Sequence, residues 1–213
     1  MQDFGRAFTY VFEDENWFSK ILVGSFFVLL SFFLVGIPFV LGYVVEIVQN
    51  VADGRSRPLP EWTGLGDKFV KGLVLAFGLL MWSIPSFVLS STGALLLAVA
   101  DPSAGGVTEM LGALLSYAAT IYNLFLAFVS PAIIVKYSEN PTLVAAFRFR
   151  GIFAFVKARL ADYVVVFLLT VATAILAFLG LVLFCLGIIV TSFLASLVQA
   201  YLFGQLRRGA SRT

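Results

Sequence analysis

Residues 163–206 read YVVVFLLTVATAILAFLGLVLFCLGIIVTSFLASLVQAYLFGQL. These 44 residues hold no Asp, Glu, Lys, Arg or His. A helical crossing of a bilayer takes about 20 apolar residues, because the hydrocarbon core is about 30 Å thick and an α-helix rises about 1.5 Å per residue. The run therefore suits two crossings joined by a tight turn, expected near Phe184-Cys185-Leu186-Gly187, where Gly187 relaxes the backbone. Three more stretches are free of charge: Ile21–Val45, Gly72–Ala100 and Met110–Val135. The last two each fit one tilted helix. The whole chain is 61% hydrophobic and 12% charged, where a soluble domain carries about 25% charged residues. The expected fold is all-α, a polytopic transmembrane helical bundle in one integral membrane domain over residues 1–213.

Lysine and arginine give the orientation. They flank the uncharged stretches at Arg6 and Lys20, at Arg55 to Lys71, at Lys136 to Arg159 and at Arg207 to Arg212, and are missing from the Asp101–Glu109 connection. Basic connections stay in the cytoplasm. The expected protein is thus a multi-pass cell-membrane protein with a cytoplasmic C-terminus and with spans at about 69–100, 109–136, 160–183 and 186–206. The hydrophobic segment 21–48 has two readings. With both flanks cytoplasmic, Ile21–Val45 is a re-entrant hairpin bent at Gly36-Ile37-Pro38, since 25 residues reach only about 38 Å. With the N-terminus outside, it is one tilted span. No secretory signal pattern precedes it, so it is expected in the mature protein.

Outside the spans, Phe4, Phe8, Val11 and Phe12 share one helical face, which predicts an interfacial amphipathic helix over about 2–18. Asn140-Pro141 reads as the N-cap and first-turn proline of a helix over Thr142–Leu160, with Gly151 as a breaking point. Phe8-x-Tyr10-x-Phe12 and Phe147-x-Phe149, each ahead of a span, suggest a repeated unit of interfacial helix and membrane hairpin, with Leu65–Lys71 as a third copy.

The chemistry excluded is informative. Proton pumps and ion-coupled transporters place ionisable groups within their spans, and here there are none beyond Tyr and Cys. The chain has no His and one cysteine, Cys185, so the ligand sets of catalytic zinc are missing. No cofactor or metal is expected. The net charge of +2, spread over span ends, predicts no nucleic-acid partner. The intramembrane polar cluster Ser83, Ser86 and Asn123 has no Lys or His at its depth to activate a hydroxyl. It reads as interhelical hydrogen bonding, or as the lining of a solute path.

The most distinctive soluble stretch is the loop 49–68. Asn50, Arg55, Arg57, Pro60, Glu61, Trp62 and Asp67 are its candidate partner-docking residues, and a structural cap is the plainer reading. Phe8-x-Tyr10-x-Phe12 with Trp17 and Lys20, Gly42-Tyr43, Asn50, Gly54, Leu59-Pro60-Glu61-Trp62 and Gly66-Asp67-x-Phe69-Val70-x-Gly72 together resemble a family of uncharacterised prokaryotic membrane proteins, a domain of unknown function. That resemblance implies a bacterial or archaeal cell membrane and brings no activity with it. The expected function is a non-catalytic membrane subunit or scaffold whose partners are the bilayer and other membrane subunits. The alternatives are a permease for a small or lipidic solute and a membrane-shaping protein.

Overall fold

The computed structural model describes residues 5–100, 106–180 and 185–210, with only the backbone for residues 178, 179, 185 and 186. Among them are nine α-helices and no strand: α1 Arg6–Thr9, α2 Trp17–Leu30, α3 Gly36–Ala52, α4 Leu65–Ala98, α5 Val107–Glu139, α6 Leu143–Ala146, α7 Phe149–Ala158, α8 Leu160–Leu179 and α9 Cys185–Ala210. Four helices, α4, α5, α8 and α9, are long and apolar enough to cross a membrane. The all-α expectation holds, and the helices follow the uncharged stretches because a backbone facing lipid must satisfy its own hydrogen bonds.

Two compact units divide the chain. One is built from residues 1–77 and 131–213, the other from Gly78–Ser130. In the first, α9 is the central helix, packed on α3, α8 and α2. Its Phe193, Leu197, Leu202 and Leu206 are fully buried.

Ile21–Val45 is not one helix. α2 ends in a 3-10 turn at Ser31–Phe33, where the Ser31 hydroxyl donates back to the Phe27 carbonyl. Leu34 then takes the left-handed conformation with φ 64°, and α3 begins at Gly36. The two helices pack as an antiparallel pair. Phe27 stacks on Phe39 with centroids 4.5 Å apart, and a Cβ on Gly36 would overlap the Phe27 carbonyl oxygen. The bend thus comes at Leu34-Val35, ahead of the expected Gly36-Ile37-Pro38. Pro38 does not break the chain, because it sits in the first turn of α3, where a missing N–H costs nothing. The α3 arm of 17 residues reaches about 25 Å, short of a 30 Å core. The tip is apolar and open: Phe32 is 76% and Phe33 75% exposed.

Three local expectations are corrected. The segment Arg6–Glu13 is α1 plus a 3-10 turn, lying at 108° to Trp17–Phe33. It buries Ala7, Tyr10 and Val11, while Phe8 and Phe12 are exposed; Phe4 lies outside the described residues. Tyr10 goes inward because its ring stacks on Tyr201 and its hydroxyl reaches the Leu197 carbonyl at 2.9 Å. Thr142–Leu160 is broken at Phe147-Arg148 rather than at Gly151, and the residue capping α6 is the extended Thr142, not Asn140. Leu65–Lys71 forms the first turns of α4 and is no separate helix. Of the turn expected at Phe184–Gly187, Phe184 lies outside the described residues, while Cys185, Leu186 and Gly187 are the first residues of α9, so Gly187 opens a helix instead of relaxing a turn. The start of the Asp101–Glu109 connection also lies outside the described residues.

α3 and α4 meet at two glycines. A Cβ on Gly42 would overlap the Lys68 carbonyl oxygen, and one on Gly72 would overlap that of Pro38. Small residues let two backbones approach this closely. In the second unit, α4 and α5 form an antiparallel pair with Gly93 and Gly112 at its contact. Phe87, Leu95, Tyr117, Ile121 and Leu124 remain exposed on its outside.

Candidate functional site

The contacts of the first unit bring one set of helix ends together. Tyr137 donates to the Lys71 carbonyl at 2.6 Å, joining the end of α5 to the start of α4. Gln49 of α3 and Arg207 of α9 both donate to the Ser138 carbonyl, at 3.0 Å each. Arg159, just before α8, donates to the Gly209 carbonyl. With the open end of the α2–α3 hairpin, these ends make a polar cap, and the bases flanking the uncharged segments collect there.

The loop after α3 closes the cap. Asn50 is buried and bonds through both its side chain and its backbone. Its side-chain amide donates to the Pro58 carbonyl at 2.9 Å, and its backbone carbonyl accepts from Arg55 N–H at 3.0 Å. Leu59 is buried, and the Pro60 carbonyl accepts the Tyr43 hydroxyl at 2.9 Å. Glu61 reaches Lys20 at 2.6 Å. Trp62 donates from Nε1 to the Lys20 carbonyl at 2.9 Å, and its ring stacks on Tyr43 at 4.2 Å and Phe27 at 4.9 Å. The Leu59–Trp62 segment is therefore a plug in the mouth of the hairpin.

Two ion clusters lie beneath it. Lys20, only 4% exposed, sits between Asp14 at 2.8 Å and Glu61. A buried cation needs such pairing, since desolvating an isolated charge costs on the order of several kcal/mol. Burial by itself would raise the Asp14 carboxyl, but hydrogen bonds from the Lys20 ammonium and the Asn16 N–H outweigh it and hold the group below its usual range. In the second cluster, Glu46 takes Lys68 at 2.8 Å and Lys71 at 3.2 Å. Lys68 also donates to the Thr63 carbonyl at 2.8 Å. Between the clusters lies a polar recess of about 420 Å³, lined by Glu46, Arg55, Arg57, Glu61, Lys68 and Lys71 among others.

Of the expected docking residues, Asn50 and Pro60 are buried and Trp62 is half-buried in the plug, while Arg55, Arg57, Glu61 and Asp67 are exposed. Sequence reasoning missed Asp14, Lys20, Glu46, Lys68 and Lys71. Their signal was present: a charge next to an uncharged run must find a partner at the same depth. In the second unit, Ser86 donates to Asn123 Oδ1 at 2.7 Å, whereas Ser83 bonds back to the Leu80 carbonyl at 2.7 Å. The cluster is thus a Ser86–Asn123 bridge between α4 and α5, without Ser83.

A family model described as "Protein of unknown function (DUF4013)" matches residues 25–187. The chain belongs to the DUF4013 family. The matched DUF4013 region covers both hairpin helices beyond residue 25, the whole plug and the α4–α5 pair. It starts after Asp14 and Lys20, so two of the three residues of the first ion cluster lie outside it. Comparison with curated proteins and with solved structures gives no match.

Proposed function

We propose that this DUF4013 chain is a non-catalytic subunit or scaffold of a prokaryotic cell membrane, with the polar cap and C-terminus in the cytoplasm. The carrying observation is the α4–α5 pair of Gly78–Ser130, in which Ser86 bonds Asn123 across the pair and the hydroxyls of Ser83, Ser91, Thr120 and Ser130 bond back along their own helices, while Phe87, Leu95, Tyr117, Ile121 and Leu124 stay exposed. Among lipids such a surface packs against tails or against other membrane helices through van der Waals contact. Arg55, Arg57, Glu61 and Asp67 offer a charged face to a cytoplasmic partner. Purification from native membranes in mild detergent tests this reading. A membrane partner retained in fixed ratio supports it. A lone protein that moves solute in liposomes overturns it in favour of a permease, a reading that would need a solute path around Ser83, Ser86 and Asn123.

The short hairpin favours a second reading, membrane shaping. Arms of α2 and α3 length with an apolar tip, and α1 lying across them at 108°, would add volume to one leaflet. Increased curvature of liposomes on reconstitution supports that reading, and unchanged liposome shape removes it.

A further inference from the structure

The recess beside the plug has a cationic floor that neither reading uses, beneath Arg55 and Arg57 of the charged face. Its floor is the end of α3 and the start of α4, where two ammonium groups, Lys68 and Lys71, share one carboxylate, Glu46. That cluster retains one positive charge. Lys68 is fixed by Glu46 and the Thr63 carbonyl, so it is preorganised. Lys71 is held more loosely, at 3.2 Å, with 32% of its side chain exposed. On the rim, Arg55 has no hydrogen-bond or ion-pair partner for its guanidinium among the described residues. Arg57 pairs with Glu15 at 2.8 Å in an exposed site, where such a pair contributes only about 0–1 kcal/mol. The lining thus presents four cations against two carboxylates, and the second of these, Glu61, is engaged by Lys20.

We propose that this recess binds a phosphate-type oxyanion, carried by an anionic phospholipid headgroup or free in the cytoplasm. Guanidinium groups offer planar pairs of donors to phosphate oxygens, and ammonium groups add point charge from the floor. The volume of about 420 Å³ lies within the range of about 300–1,000 Å³ for small-ligand sites. The recess sits where the uncharged helices end, and its lining residues Glu61 and Thr63 flank the half-buried Trp62. Aromatic rings and basic side chains at that level face lipid headgroups.

The test uses the full-length protein in neutral detergent. Native mass spectrometry counts phosphatidylglycerol retained against phosphatidylcholine, and tryptophan fluorescence follows a titration with inorganic phosphate. The double variant combines Arg55→Gln with Lys71→Gln, and the control is Lys136→Gln, which removes one charge outside the recess. Expected is retention of phosphatidylglycerol over phosphatidylcholine, reduced about tenfold or more in the double variant and unchanged in the control. Competition by millimolar phosphate assigns the recognition to the phosphate group itself. Phosphate binding that the double variant abolishes, without phosphatidylglycerol retention, supports the site with a soluble source. The proposal is overturned if neither probe binds, or if the folded double variant binds as well as the wild type.

Discussion

The indole Nε1 of Trp62 donates to the backbone carbonyl of Lys20 at 2.9 Å, and this bond seats the plug in the mouth of the hairpin. The ring is then held between Tyr43 and Phe27, so one side chain ties the loop to both α2 and α3. Replacing it by Ala should destabilise the first unit by about 3–5 kcal/mol. Trp62→Phe keeps a stacking ring and loses the donor, for about 1 kcal/mol. Thermal unfolding in detergent ranks the two; equal stability of Trp62→Ala and the wild type would mean that the plug does not hold the hairpin.

The α3–α4 crossing predicts a sharp contrast among glycines. Gly72→Ala puts a methyl into the Pro38 carbonyl, and separating the helices should cost about 1–3 kcal/mol or more. Gly66→Ala, with no atom within 4 Å of the added Cβ, should be neutral or stabilise by up to about 1 kcal/mol. The yield of monodisperse protein and its melting temperature report both.

Leu34 carries a left-handed backbone at an exposed tip. Leu34→Gly should relieve about 1 kcal/mol of strain without loss of packing. Leu34→Asp separates environments: if the tip lies in hydrocarbon, the charge costs about 2.5–3.5 kcal/mol, and in water it costs almost nothing. The larger penalty is expected, read as lost membrane accumulation.

Asp14 sets a pH dependence. Its folded carboxyl titrates below the ordinary value of 3.8, so its contribution is complete above the unfolded value and disappears as pH falls through the folded one. Melting curves between pH 6 and about pH 3 should show wild type well above Asp14→Asn at the upper end, with the gap closing on acidification. A gap that widened would contradict the Asp14–Lys20 assignment.

Much of this fold is legible in composition, because lipid leaves the backbone few options: an uncharged run of sufficient length becomes a helix. Pro38 misleads by one turn, since the same residue that breaks a helix interior is welcome at its start. Tyr10 and the Lys20–Glu61 pair were not legible. Each depends on partners dozens of residues away, Leu197 for the one and a folded loop for the other. Pro58 and Pro60 mark the Leu59–Trp62 segment as stiff, because each fixes its own φ. That it fills a hairpin mouth follows only from the antiparallel placing of α2 and α3, which also decides what remains exposed for partners.

The central claim is that residues 17–52 enter and leave the membrane on the side that holds the C-terminus. A reporter active only in the cytoplasm, fused to the N-terminus in one version of the chain and to the C-terminus in another, measures this directly. Equal activity from both fusions is the predicted result. A silent N-terminal fusion beside an active C-terminal one would contradict it and require Trp17–Ala52 to cross the bilayer.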